Sequence, residues 1–387
     1  MDKQKFERRK KEDKPVLAIC YDFDKTLSPD DMQAQGYIQS VGYDITDDFW
    51  KKSNALAEEN EMDQNLAYMY LMMLEADGRI VFNKEKLREY GAKVKLFPGV
   101  EEWFDRIRKY GAEKEIIIEH YIISSGLKEM IEGTTVAKEF EKIYASSFYY
   151  ENGRSAKWPA QAVNYTNKTQ FLFRIEKGVL DVNDDGVNDY FEPDKIRVPF
   201  RNMVYIGDSN TDIPCMKLVS SLGGHSIGVY DPDTQEKAKV YKMMREGRIK
   251  YFVPADYSEG TKMDALIKAI IDRTAANEIL ESKFFECSAE QVKADQDSSE
   301  EEIAKTDLMI DLENSRSFAS THEIIKKLSA YKKWTDEQKE RLCEIALGNT
   351  QIYFILQDDD VRKFYKTILL RFNSESESVK ELKEAIK

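Results

Sequence analysis

The 387-residue chain has no apolar run approaching membrane-spanning length, so no transmembrane helix is expected. It is poor in cysteine: Cys20, Cys215, Cys287 and Cys343 lie far apart, with no Cys-x-x-Cys spacing. That argues against a disulfide framework or a zinc site and leads to an expectation of reduced thiols in a cytoplasmic protein. Positive charge is in deficit. With 58 basic against 71 acidic residues, the net charge of −13 has the wrong sign for a general affinity for nucleic-acid backbone. The opening stretch, Met1 to Lys14, is almost entirely charged, which is not the composition of a secretory signal. No internal repeat is evident.

What is present is ordinary for a folded soluble chain: 42% apolar and 11% aromatic residues, with length for two or three domains. Strand-like apolar runs recur at 16–21, 116–123, 143–150, 203–206, 226–230 and 251–253. Helical patterns at 100–110, 127–139, 168–177, 234–245 and 262–273 separate most of them. Short buried strands alternating with helices predict an α/β fold with a mostly parallel sheet covered on both faces. Residues 30–95 break this alternation with apolar residues at helical spacing, including Phe49, Leu56, Leu66, Met69, Met72 and Leu87.

The expected organisation follows. A flexible or helical charged lead occupies 1–14, and the α/β core is made by 15–29 and 96–275. A helical cap, acting as a lid, is inserted at 30–95. An acidic linker or exposed helix covers 276–312, with 297–302 read as solvated charge. An all-helical module fills 313–387, opened by the capping boxes Ser320-x-x-Glu323 and Thr335-x-x-Gln338. With no evident catalytic residue of its own, that module is expected to serve a protein partner or self-association through 313–372.

Directly behind the first strand stands Asp22-Phe23-Asp24-Lys25-Thr26-Leu27. Two carboxylates at a strand end share one exposed edge, and their chemistry suits a nucleophile and an acid/base beside a metal ion. Three further elements follow in order: Ser124-Ser125-Gly126 after the second strand, Lys168 opening a helix, and Gly207-Asp208-Ser209-Asn210-Thr211-Asp212 after another strand. A phosphate monoester repels an anionic nucleophile unless cations neutralise the site. Mg²⁺ prefers a few carboxylates with waters and a phosphate oxygen. Asp22 and Asp208 fit direct ligation, the Asp24 carbonyl adds an oxygen, and Asp212 reaches through water. Lys168 places a fixed charge against the phosphoryl group, and Ser124 with the amides from Ser125 onward is read as an anion-binding helix N-terminus. Asp24 protonates the leaving oxygen and then activates water if its pKa is raised. Thr26, Asp31, Ser125 and Gly126 complete the expected substrate-binding set.

On these four motifs, residues 16–275 resemble the haloacid dehalogenase superfamily of aspartate-nucleophile phosphotransferases, most of all its phosphoserine-phosphatase-like branch. The resemblance implies a Rossmann-like core with an inserted helical cap, a transient aspartyl phosphate on Asp22, and Asp24 as acid/base. Asp24 argues against a true dehalogenase, and the lack of spans argues against an ion-pumping ATPase. The fourth motif departs from the pattern by reading Gly-Asp-Ser where Gly-Asp-Gly is commoner. Lys168 is assigned by order and context, ahead of Lys177 and Lys195. The implied function is a Mg²⁺-dependent phosphatase for a small phosphorylated substrate. The alternatives are a phosphotransferase or mutase of the same chemistry, or a partner-directed phosphatase.

Weaker signals stand apart from this set. Asp181 to Glu192 matches a twelve-residue calcium loop, with Gly186 at position six and a final glutamate, although Asn188 and Pro193 depart from the pattern. It is carried as a second, Ca²⁺, site. His120 and His225 have no ligand partners at useful spacing and are read as structural. Glu151-Asn152-Gly153 reads as a hairpin turn, with Tyr149, Tyr150 and Trp158 packing there or forming a flap near the site. Among cap charges, Asp30, Lys51, Lys52 and Arg79 are candidates to read the substrate, and Asp31 leads them by its place behind the first motif.

Overall fold

The computed structural model describes residues 6–152, 155–297, 299–370 and 372–387. The first five residues of the charged lead, Gly153 of the hairpin turn and Ser298 of the acidic stretch lie outside the described residues. The chain divides into two compact units, Met1–Ser282 and Lys283–Lys387.

The first unit is built on one seven-stranded sheet. Its strands are β1 (Val16–Tyr21), β2 (Ile117–Leu127), β3 (Lys142–Glu151), β4 (Ser155–Gln161), β5 (Met203–Gly207), β6 (His225–Tyr230) and β7 (Tyr251–Pro254). The spatial order is β4-β3-β2-β1-β5-β6-β7, parallel throughout except for the antiparallel β3–β4 edge. β1 is central because it is buried on both faces. Its alternate side chains enter two separate cores: Leu17, Ile19 and Tyr21 on one side, Val16, Ala18 and Cys20 on the other. A strand with no polar position fits only inside such a sheet.

After β1 the chain leaves the sheet through α1 (Tyr37–Ser40), α2 (Thr46–Glu59), α3 (Gln64–Ala76) and α4 (Lys84–Gly91). This is the helical cap, inserted after the first strand as expected. It returns through α5 (Val100–Glu113), whose Val100, Trp103, Phe104 and Ile107 cover one sheet face. α6 (Lys128–Gly133) follows β2. The other face is covered by α7 (Thr169–Lys177), α8 (Ile213–Ser221) and α9 (Ala238–Arg245). α10 (Lys262–Asp297) runs for 36 residues where the sequence pattern fades after Arg273. Its first turns, with Met263, Ile267, Ile270 and Ile271, belong to the core beside α5.

One expectation about this unit needs correction. In the described part of the lead, residues 6–12 have no regular structure and are tied to the core: Arg9 donates its amide to the Gly178 carbonyl at 2.9 Å. The Arg9 guanidinium lies 2.5 Å from Glu119 Oε1, and Arg197 bonds both Glu119 oxygens and Glu12. The loop 181–192, the candidate calcium loop, is held by cations from other parts of the chain. Arg8 grips both oxygens of Asp184 at 2.6 and 2.7 Å. Arg174 takes the carbonyls of Asp181, Val182 and Asp184, and Lys177 takes those of Val187 and Asp189. Of the oxygens that the calcium pattern uses, these cations take the Val187 carbonyl and Asp189 Oδ2, and the side chains of Asp181, Asn183, Asp185 and Glu192 are not among their partners.

The second unit has its own core. α11 (Glu300–Glu313), α12 (Phe318–Leu328), α13 (Asp336–Gly348), α14 (Thr350–Phe354), α15 (Asp359–Leu369) and α16 (Glu377–Ala385) follow in order. α11, placed in the linker by the sequence reading, contributes Met309 and Leu312 to this core. The Thr335–Gln338 capping box is present, whereas α12 is capped by Ser317 and not Ser320. A half-open cavity of about 640 Å³ is walled by Tyr331, Trp334 and Phe364. Among the described residues no helix is long and apolar enough to cross a membrane.

Candidate active site

The central strand sets the geometry. β1 pairs with β2 on one side and β5 on the other, so the connections after β1 and after β5 depart in opposite directions and leave a crevice beyond their carboxyl ends. Tyr21 lies level with Ile122 and Ile206, which brings Asp22, Ser124 and Asp208 to one end of the sheet. The Asp22 amide continues the ladder to the Ile206 carbonyl at 2.9 Å. The chain then turns sharply at Lys25, whose φ is +58°. The amides of Thr26, Leu27 and Ser28 all point at the Phe23 carbonyl.

Beneath this end lies a dry ionic cluster. Lys168 is fully buried, with Nζ 2.7 Å from Asp212 Oδ1 and 3.4 Å from Asp22 Oδ1. A buried ammonium is tolerated only when so paired. Burial works against its charge, yet Asp212 and Asp22 together raise its pKa. Asp212 is saturated. Its Oδ1 accepts from Lys168 and from the Tyr205 hydroxyl at 2.9 Å, and its Oδ2 accepts from the Ser209 amide and hydroxyl. It therefore orients Lys168, a role beside the expected reach through water to a metal.

Above the cluster is a cavity of about 270 Å³. Asp22, Asp24, Asp31, Ser124, Ser125, Gly126 and Asp208 line it, so seven of the expected residues converge. Thr26 does not: it is buried, and its carbonyl accepts from the Tyr257 hydroxyl at 2.9 Å. Lys177 and Lys195, the competitors of Lys168, serve the loop 181–192 and its rim. The Ser125 and Gly126 amides do not form a helix N-terminus. β2 continues with a register shift to Leu127, the six-residue α6 begins at Lys128, and the Gly126 amide donates to Ser124 Oγ at 3.1 Å.

Burial, reinforced by Asp212, pushes the Asp22 carboxyl up to about 7 against the pull of Lys168. Burial likewise raises Asp208 to about 6, opposed by Lys239. Asp24 is held well above the ordinary carboxylate range by burial and by Asp31 and Asp22. Its Oδ1 accepts the Met32 amide at 2.8 Å. Gly126 leaves it room: a Cβ there would lie 2.6 Å from Asp24 Oδ2 and 2.6 Å from Met32 Cε. Gly126→Ala is accordingly expected to displace the carboxylate and lower kcat about 100-fold with a folded protein retained. Steady-state kinetics beside circular dichroism check this.

The donor set suits a small hard cation. Asp22, Asp208 and Asp212 each offer an oxygen, all within 4.8 Å of one another. Asp22 Oδ1 is buried and accepts no hydrogen bond, since Lys168 is an ion-pair neighbour without hydrogen-bond geometry. Oxygen donors alone, with an orphaned carboxylate among them, fit Mg²⁺ and not a soft metal.

Residues 19–217 match the family model of the haloacid dehalogenase-like hydrolases, a span of just over half the chain. The chain belongs to this family. An uncharacterized protein of Borreliella burgdorferi is 28% identical over 286 residues, covering 64% of this chain and 94% of its own. Solved structures at low similarity include a haloacid dehalogenase family hydrolase from Salmonella enterica serovar Typhi. It is 17% identical with a TM-score of 0.45, covering 66% of this chain and 72% of its own. A probable phosphoserine phosphatase from Vibrio cholerae is 13% identical with a TM-score of 0.43, covering 68% and 67%.

Several residues of this hydrolase site were not singled out from its sequence. Gln33, Trp50, Asn65 and Tyr68 enter the cavity from the cap, and Lys239 enters from α9. Tyr68 donates to the Ser125 carbonyl at 2.8 Å, and Asn65 donates to the Val163 carbonyl, tying cap to core. Lys239 follows β6 at the same sheet end as the motifs, and that position is the signal that marks it. The other cap charges go elsewhere: Lys52 and Arg79 pair with Glu75, and Lys51 with Asp48. Tyr149, Tyr150 and Trp158 do not line the cavity.

Proposed function

We propose that this hydrolase is a Mg²⁺-dependent phosphatase acting on a small phosphomonoester, and that Asp22 is its nucleophile. The observation that carries the reading is the buried pairing of Asp22 with Lys168 beside Asp24 at the mouth of one small cavity. An Asp22 oxygen attacks phosphorus, the bond to the leaving oxygen breaks, and Asp24 delivers its proton to that oxygen. Asp24 then takes a proton from water as the water oxygen attacks the aspartyl phosphate, releasing inorganic phosphate and restoring both carboxyls. The raised pKa of Asp24 suits it to hold a proton before the first step.

Asp22, Asp208 and the Asp24 carbonyl would hold Mg²⁺, which when bound supplies positive charge against the phosphoryl oxygens. Lys168, oriented by Asp212, supplies a second fixed charge, while Ser124 and Ser125 offer hydroxyls to the phosphoryl group. The buried free thiols Cys20 and Cys215 fit a reducing, cytoplasmic setting.

The test is direct. Purified protein with Mg²⁺ should release inorganic phosphate from 4-nitrophenyl phosphate, and chelation with EDTA should stop it. Equal release with and without EDTA would refute the metal dependence, and no release from any member of a phosphorylated-metabolite library would refute the phosphatase reading.

A further inference from the structure

Two lysines line the cavity, and each is paired with a carboxylate. Lys25 Nζ lies 3.0 Å from Asp31 Oδ2, and Lys239 Nζ lies 3.0 Å from Asp208 Oδ2. The pairs differ in what happens when a divalent cation enters. Asp31 is outside the candidate ligand set, so Lys25 keeps its partner. Asp208 is inside it, so Lys239 loses its partner. Asp208 is largely buried, whereas the Lys239 side chain is 47% exposed on a four-carbon stem, free to swing while α9 stays packed through Val240 and Met243.

We propose that Lys239 is a displaceable counter-ion that makes cation and anion binding mutually dependent in this site. Without a divalent cation it neutralises Asp208. Once the cation takes Asp208, the released ammonium turns to the phosphoryl anion in the same cavity. Lys239 thereby acts as a positioning residue: it weakens binding of the cation alone and strengthens binding of cation and anion together. Thermodynamic linkage requires the coupling to be reciprocal. The inference rests on the metal reading proposed above and concerns a residue outside the four motifs.

Isothermal titration of Mg²⁺ into wild type, Lys239→Met and Lys239→Arg, each with and without saturating inorganic phosphate, tests it. Lys239→Met is expected to bind Mg²⁺ alone about three- to tenfold more tightly, in line with loss of a partly exposed competing ion pair. The tightening of Mg²⁺ binding by phosphate should be smaller in Lys239→Met than in wild type, and Lys239→Arg should restore both toward wild type. Thermal unfolding confirms that each variant is folded. Equal or weaker Mg²⁺ binding by Lys239→Met overturns the proposal and leaves the phosphatase reading standing. So does tighter binding with undiminished phosphate coupling. Failure of wild type to bind Mg²⁺ at all overturns both.

Discussion

Asp22→Asn is expected to abolish phosphomonoester turnover, by about 10⁴-fold or more, while making the metal-free protein more stable. The loss of activity follows from removing the attacking oxygen: an amide offers no anionic lone pair to phosphorus, and Lys168 and Asp24 have no covalent step without it. The gain in stability follows from the electrostatics of the empty site. Asp22 is buried against Asp212 with one cation between them, and its carboxyl is pushed up to about 7. The folded chain therefore keeps a proton there that the unfolded chain gives up near the ordinary carboxylate pKa of about 3.9. Between those values the folded state binds more protons, so this group's contribution to stability falls as pH rises. Asp208, raised to about 6, adds to the same trend. Metal-free wild type should gain stability on going from pH 8 to pH 5.5. Asp22→Asn should be more stable than wild type by about 2 kcal/mol at pH 8 and by much less at pH 5.5. Calorimetric scans of both proteins at the two pH values, with EDTA, check it. An asparagine variant less stable than wild type at pH 8 would contradict this electrostatic account.

Lys168→Met carries the second large effect, in the opposite direction. Methionine matches the length of the lysine stem, so the cost is electrostatic and not a cavity. Removing the ammonium leaves Asp22 and Asp212 facing each other without a buried cation, and breaking a buried pair this way costs about 3–5 kcal/mol. A surface pair would cost under about 1 kcal/mol, so the size of the loss distinguishes the two settings. Urea unfolding of wild type and variant measures it. Adding Asp22→Asn to Lys168→Met should recover part of the stability and none of the activity, since the partner charge goes with it. A loss below about 1 kcal/mol would mean that water reaches the cluster.

How much of this was legible in the sequence depends on the range of the interaction. β1 matches the expected limits at both ends, because its six apolar residues are bounded by Lys14-Pro15 on one side and by Asp22 on the other. Three of the four motifs could be read because Asp22, Ser124 and Asp208 each follow a parallel strand, and parallel strands deliver their carboxyl ends to one place. Lys168, after the antiparallel β4, was legible only by order and context. Ser124–Leu127 was misread as a helix start. Small polar residues open helices often, and only pairing with β3 through a shifted register keeps them extended. The anchoring of the calcium-like loop was hidden for a similar reason, because Arg8, which grips Asp184, lies more than 170 residues away. The cap side of the cavity was hidden in the same sense. Gln33, Trp50, Asn65 and Tyr68 look like ordinary helix residues until the cap folds onto Ser124–Gly126. The length of α10 was missed because its second half shows no apolar periodicity to extend the pattern.

The central claim is that Asp22 receives the phosphoryl group, and one measurement addresses it without waiting for the natural substrate. The protein is mixed with Mg²⁺ and 4-nitrophenyl phosphate and quenched in acid during turnover. Acyl phosphates are then reduced with borohydride, which converts a phosphorylated aspartate to homoserine, and peptides are sequenced by mass spectrometry. The expected result is homoserine at position 22 alone, absent without substrate and absent in Asp22→Asn. Turnover with no modified aspartate, or with the modification at Asp24 or Asp208, would contradict the account.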